Sequence, residues 1–392
     1  MKIGKRMQIY VKGIGFITAE EASKLVQGGY NLELRGVFGD WVKVSEAYTV
    51  TKSDNRLLEL KNGNTVTVSG DSDILTLVPN GYSLASLKVK DIKKSSILVY
   101  GNQLVDENNG CHLDDNELED IVSILNNCNA YLEHTYEIFT FSANSDEILR
   151  LFQRFVPDSR QDKITITEFT KWRNKTDLFK FRVPLKYADK ITEVIDKYGI
   201  DMKTKNIPNC IFTADRDTRI RFYKILNPLS FCNVSMTNSK IAKVGVVSRK
   251  NYNSILNISN FLHTIGISGI VRIAGVSKYK DIRITRVIYQ LNSDDCKYAM
   301  NIDDEQYFTG ARNMVYNNPS WARTIKDNDY PASCKSIFYT YCRNNGSNTY
   351  KFLEEFYKYQ QPIKVKSLSE IEDDMVEFVV DDYADINGIF LK

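Results

Sequence analysis

Asn64-Thr65-Val66-Thr67-Val68-Ser69-Gly70-Asp71-Ser72-Asp73-Ile74-Leu75-Thr76-Leu77-Val78-Pro79-Asn80-Gly81 is the stretch that decides the fold. It reads as two strands, Asn64–Ser69 and Ile74–Val78, because β-branched residues crowd both halves and an Asn-Gly turn closes the second. Upstream, Tyr30–Val37, Trp41–Val50 and Arg56–Leu60 have the same composition, separated by Phe38-Gly39-Asp40 and followed by Asn62-Gly63; downstream comes Ile97–Tyr100. Before all of them, Thr18-Ala19-Glu20-Glu21 has the hydroxyl and carboxylate of a capping box, opening a short helix that Gly28-Gly29 ends. The first 100 residues are therefore expected to form a compact β domain.

From residue 115 the period changes. Leu118–Asn127 is helical, Tyr131–Phe141 alternates as strands do, and Ser145–Phe155 carries Ile148, Leu149, Leu151, Phe152 and Phe155 at helical spacing. A similar order recurs: helix Arg219–Leu226, strand Ala242–Ser248, amphipathic helix Tyr252–Thr264 with Gly266 behind it, then strands Gly269–Ile273 and Asp281–Leu291. Helix, strands and helix in two successive copies are an internal duplication. Gln306–Tyr359 is Tyr-rich and reads as mostly helical, and Pro362–Phe390 returns to strands. The expected class is α+β: an all-β domain from 1–100 with 360–392, an inserted duplicated domain at 101–300 (repeats at 115–200 and 210–295), and a helical extension at 301–359.

Of 392 residues, 43% are hydrophobic and 26% charged, an ordinary globular balance. No apolar run reaches the ~18 residues that a membrane helix needs, and Met1-Lys2-Ile3-Gly4-Lys5-Arg6 does not lead into a signal-type stretch. No membrane partner and a cytoplasmic or virion-associated location are expected. Seven dispersed cysteines without a CxxC pair and only three histidines (His112, His134, His263) argue against a disulfide framework and a zinc site, so neither metal nor cofactor is expected. The net charge of +3 conceals an asymmetry: Arg150 to Lys297 holds 28 basic and 13 acidic residues, a balance of +15, and the remainder stands at −12. Such a block is the electrostatic footprint of a phosphate-binding surface, although a solvated face has the same composition.

The residues from Asn64 to Tyr100 resemble the second conserved block of the Hint (hedgehog/intein) fold, which has a strand, a Thr-x-x-His turn and a second strand ending in Asn-Gly. The closing segment resembles the last intein blocks, with Val376-Glu377-Phe378-Val379-Val380-Asp381-Asp382 as the penultimate strand and Asn387-Gly388-Ile389 where inteins approach their terminal His-Asn. The duplicated basic middle is similar to an inserted LAGLIDADG homing endonuclease of αββαββα order: Tyr136–Asn144 and Lys243–Ser248 each precede an amphipathic helix, the second ending His263-Thr264-Ile265-Gly266-Ile267. The resemblance implies a mobile-element or phage origin.

The departures from these families decide the functional expectation. Splicing needs a nucleophile at the first position, a His in the Thr-x-x-His turn and a terminal Asn. Here the chain starts with Met1 with no extein ahead of it, Ser72 takes the His position, and Phe390-Leu391-Lys392 replaces the His-Asn ending. In the endonuclease family each motif helix ends in a carboxylate that binds the catalytic cation. The best alignments, Val122–Ala130 and Phe222–Ser230, place Asn129 and Leu229 there. Asp115, Glu119, Asp215 and Asp217 lie nearby, at the opposite ends of the helices, where the helix dipole favours acids.

The basic candidates for DNA contact are Lys171, Arg173, Lys175, Lys180 and Arg182 among aromatics; Arg216, Arg219, Arg221 and Lys224 around the second motif helix; and Lys278, Lys280, Arg283 and Arg286 on a strand pair. The expected function is binding without catalysis, to double-stranded DNA or to protein partners through 306–359. An active free-standing homing endonuclease and a domesticated virion structural or assembly component are the alternatives.

Overall fold

The computed structural model of the chain describes residues 1–37, 39–50, 54–61, 63–77, 84–94, 96–101, 112–132, 135–140, 145–164, 166–172, 176–226, 243–244, 252–265, 270–279, 282–290 and 360–392. It opens with β1 (Lys2–Gly4), β2 (Gln8–Val11), β3 (Gly15–Thr18) and helix α1 (Ala19–Gln27). The expected capping box sets α1: Thr18 Oγ1 accepts from the Glu21 N–H at 3.2 Å, and the Glu21 carboxylate accepts from the Thr18 N–H at 2.8 Å. Next come β4 (Leu32–Arg35), β5 (Trp41–Val50), β6 (Asn55–Leu60), β7 (Thr65–Ser69), β8 (Asp73–Leu77), β9 (Leu84–Lys88) and β10 (Ile97–Gly101).

The middle comprises α2 (Asp115–Asn127), β11 (Cys128–Leu132), β12 (Thr135–Thr140), α3 (Ser145–Phe155), β13 (Ile166–Trp172), β14 (Thr176–Pro184), α4 (Asp189–Tyr198), α5 (Asn209–Thr213) and α6 (Arg216–Leu226). The last part holds β15 (Lys243–Val244), α7 (Tyr252–Thr264), β16 (Ile270–Tyr279), β17 (Ile282–Gln290), β18 (Gln360–Glu370), β19 (Met375–Val380), β20 (Ala384–Ile386) and β21 (Ile389–Leu391). The fold is mixed α+β with a large antiparallel sheet. Its two compact units are Met1–Gly110 with Pro228–Lys392, and Cys111–Asn227. Of the expected strand Ala242–Ser248 only Lys243–Val244 is described, and the Tyr-rich segment 306–359 lies outside the described residues.

In the first unit the chain ends are woven into one 14-stranded sheet. β1 lies between β7 and β19, with Ile3 opposite Val68 on one side and Val376 on the other. β18 is long enough to pair with β10 through its first half and with β6 through its second. Alternation then sends Ile3, Leu58, Val66, Val68, Leu98 and Phe378 into a common core, all fully buried. Each such side chain contributes about 1.5–3 kcal/mol by burial, so the terminal strands supply a substantial share of this unit's stability.

The second unit is a four-stranded antiparallel sheet, β11-β12-β14-β13, covered on one face by helix. Phe152 of α3 meets Phe181 of β14 edge-on at 5.1 Å, and Ile138, Phe181 and Val183 are fully buried there. α2 packs against α6 and α4. α4 is not among the elements expected from the sequence, although Ile191 and Val194 are buried one turn apart and Gly199, at φ 62°, ends the helix.

Candidate functional site

Ser72 sits where the two chain ends converge. Its hydroxyl accepts the Lys2 backbone N–H at 3.0 Å, while the next residue, Asp73, exchanges backbone hydrogen bonds with Lys392 at 2.9 and 3.0 Å. β1 and β21 are held there by the pairs Ile3 with Val68 and Leu391 with Ile74. Ser72 is buried at 6% exposure, and its own carbonyl accepts the Val89 N–H at 3.0 Å. A hydroxyl so placed orients the Lys2 amide, but it lacks the basic nitrogen with which an imidazole moves protons at neutral pH.

Asn387-Gly388 makes the tight turn between β20 and β21, where Ile386 faces Ile389. Both residues have positive φ, 51° and 94°, the signature of a two-residue primed hairpin turn. The Asn387 amide donates to Thr65 O at 3.3 Å. Turn geometry thus accounts for this Asn-Gly pair. Beneath it lies an ion pair that the sequence did not announce: Asp385, 4% exposed, stands 3.8 Å from the Arg35 guanidinium and accepts the Gly388 N–H at 2.7 Å. Burial pushes the Asp385 carboxyl up to about 6, against the downward pull of Arg35 and the Gly388 N–H.

In the second unit the starts of α2 and α6 meet. Arg221 donates to Asp115 at 2.6 Å, to Leu113 O at 2.8 Å and to Asp217 at 3.0 Å, bridging the two helices. Asp215 caps α6 through the Thr218 N–H at 2.7 Å and lies 3.2 Å from the His112 ring. On the outer side, Arg154 binds Glu119 at 2.7 Å and Asp120 at 2.5 Å, and Lys197 with Tyr198 holds the Glu117 carboxyl down at about 2. Asp115, Asp215 and Asp217 lie at or just before helix starts and Glu119 one turn into α2, and each is already engaged by a cation, a backbone N–H or the His112 ring. Among the described residues no group of three His, Cys, Asp or Glu could hold a metal ion.

The other end of α2 is closed by a lysine. Lys205, at φ 56°, reaches the last carbonyls of the helix, donating to Ile124 O at 2.9 Å and to Cys128 O. Burial pulls its ammonium down to about 8 and pushes the Cys128 thiol up to about 12. Asn129 follows on β11 and is exposed, whereas Leu229 lies outside the described residues. Nothing local in the sequence marks Lys205 as the closure of α2, because the two carbonyls it caps are about 80 residues away.

The sheet face away from α3 carries charge. Glu137 on β12 is directly opposite Arg182 on β14, and it binds Lys180 at 3.0 Å and Arg182 at 3.4 Å. The Arg182 side chain remains 48% exposed, Lys180 only 14%. Arg219 is completely buried and Arg221 is committed to two aspartates, so two of the expected phosphate contacts face the helix packing instead of solvent. On the same helix Lys224 is exposed and Arg216 half-buried, so the linear charge cluster does not distinguish the cations committed to packing from those that face solvent. The backbone places Lys171 on β13 and Lys278 of β16 opposite Arg283 of β17, with Arg286 facing Gly275; Arg173, Lys175 and Lys280 lie outside the described residues.

No helix among the described residues is long and apolar enough to cross a membrane. No known family model matches the chain, and a search of curated proteins finds no similar sequence.

Proposed function

We propose that the chain is a binding protein built on an intein-like β scaffold with an inserted homing-endonuclease-like domain, that it neither splices nor cuts, and that it holds double-stranded DNA on the face of its four-stranded sheet away from α3. One observation carries the loss of cutting. The end of α2, where the resemblance requires a cation-binding carboxylate, bears Asn129 and is closed by the Lys205 ammonium. Neither Asn129 nor Lys205 offers a divalent ion a carboxylate, and the Lys205 positive charge already satisfies the helix carbonyls. The Ser72 junction favours the same reading for splicing, since it keeps the chain ends together without an imidazole.

Binding is favoured by the cations Lys180 and half-exposed Arg182 on that sheet face and by the +15 balance of residues 150–297. Glu137 restrains that face by neutralising Lys180 and Arg182 together. The test follows from it. Glu137→Gln in the full chain frees two cations, so duplex DNA binding should tighten severalfold and the log–log salt slope should steepen by up to about 1.8, roughly 0.9 per added phosphate contact. Unchanged affinity and slope, or no duplex binding by the wild type at ~50 mM salt, would contradict the DNA reading and leave a scaffold recruited for protein contacts.

A further inference from the structure

Tyr187 gathers cations. It lies in the turn Leu185–Tyr187 that joins β14 to α4, and over its ring stand Lys186 Nζ at 4.9 Å, Lys163 Nζ at 5.8 Å and the Arg160 guanidinium at 5.8 Å. Arg160 and Lys163 come from a different turn, Asp158–Lys163, so two separate segments converge on one ring. Arg160 has a counter-charge in Asp189 at 2.6 Å and also donates to Lys186 O at 3.2 Å. Lys163 and Lys186 are exposed, and among the described residues neither meets a carboxylate. The ring quadrupole draws all three cations inward while their charges repel one another. An anion seated between them would relieve that repulsion.

We propose that this corner is a phosphate-backbone contact for nucleic acid, with Lys163 and Lys186 taking phosphate oxygens and Tyr187 acting as the positioning residue that keeps them convergent. The proposal rests on the DNA-binding reading above, but it adds a contact that the sheet face does not supply. Two observations favour nucleic acid over a lipid surface. β14 runs into the corner carrying Lys180 and Arg182, whose alternate positions are about 6.7 Å apart, close to two 3.4 Å steps of a nucleic-acid strand. Among the described residues the only large apolar side chain exposed on these two turns is Leu185, at 37%, too little to anchor in a bilayer.

The experiment measures binding of the full-length protein to a 5′-labelled duplex of roughly 30 base pairs, long enough to span several phosphate contacts, by fluorescence anisotropy across a salt series, with phosphatidylserine vesicles as a parallel arm. The double variant Lys163→Gln with Lys186→Gln should lose about tenfold in affinity at ~0.1 M salt and flatten the log–log slope by about 1.8. Tyr187→Leu should weaken binding with both lysines present, and Tyr187→Phe, which retains the ring, should restore it. Circular dichroism and melting temperature should match the wild type in all three variants. A double variant with wild-type affinity and slope would overturn this contact while leaving the DNA reading standing. Absence of duplex binding by the wild type would overturn both. Loss of vesicle binding with duplex binding intact would make the corner a membrane contact and also overturn the proposal.

Discussion

The backbone N–H of Lys2 and the hydroxyl of Ser72 are 3.0 Å apart although 70 residues separate them in the chain. With Lys392 bonded to Asp73 beside them, the two chain ends meet at one dipeptide. A hydroxyl at this junction fixes geometry and moves no proton at neutral pH. Expressed between two reporter polypeptides, the chain should therefore remain a single fusion of full mass by intact mass spectrometry. Ligated reporters, or released fragments at either junction, would contradict this.

Gly388 is expected to be nearly irreplaceable. Its φ of 94° belongs to the left-handed region, and a Cβ added there would lie 2.3 Å from the Tyr100 ring. Tyr100 is fully buried and accepts a hydrogen bond from Asn64 at 2.6 Å, so it has no room to yield. Gly388→Ala should cost about 2–4 kcal/mol, combining strain and overpacking, read as a lowered urea midpoint. An unchanged midpoint would show that the turn does not constrain the closing hairpin.

Asp385 gives a pH signature of defined sign. Its carboxyl titrates at about 6 in the folded chain against 3.8 for an ordinary aspartate, so between those values the folded state holds a proton that the unfolded state has released. The contribution of Asp385 to stability is therefore largest below about pH 4 and declines as pH rises through 6. The difference in urea midpoint between wild type and Asp385→Asn should change across that window, moving against the wild type as pH increases. A difference that stays constant from pH 4 to pH 7 would refute the assignment.

Arg221 should behave as a structural bridge and not as a DNA contact. It joins Asp115 of α2 to Asp217 of α6 and closes on Leu113 O. Its side chain is 22% exposed, which places the loss on Arg221→Met at about 1–2 kcal/mol, above the 0.2–1 of an exposed pair and below a fully buried one. Duplex affinity should be unchanged once the variant is folded. A specific loss of DNA binding at full stability would return Arg221 to the phosphate contacts.

What the sequence shows and hides follows the range of the interactions. Trp41–Val50, Ser145–Phe155 and Tyr252–Thr264 end where periodicity says, and the Thr18–Glu21 capping box forms as written, because these depend on neighbours in the chain. The burial of Arg219, the Arg35–Asp385 pair, the Lys205 closure of α2 and the neutralisation of Lys180 and Arg182 by Glu137 all depend on partners more than 40 residues away or on helix packing. Counting charges along the chain therefore located a basic segment, but not which of its cations still face solvent.

The central claim is binding without cutting, and the most direct measurement is electrophoresis of an end-labelled duplex library incubated with the full-length protein and Mg²⁺. Native gels should show retarded complexes, and denaturing gels of the same samples should show strands of unaltered length. Discrete Mg²⁺-dependent fragments, lost when an Asp or Glu near the ends of α2 and α6 is replaced, would contradict the account.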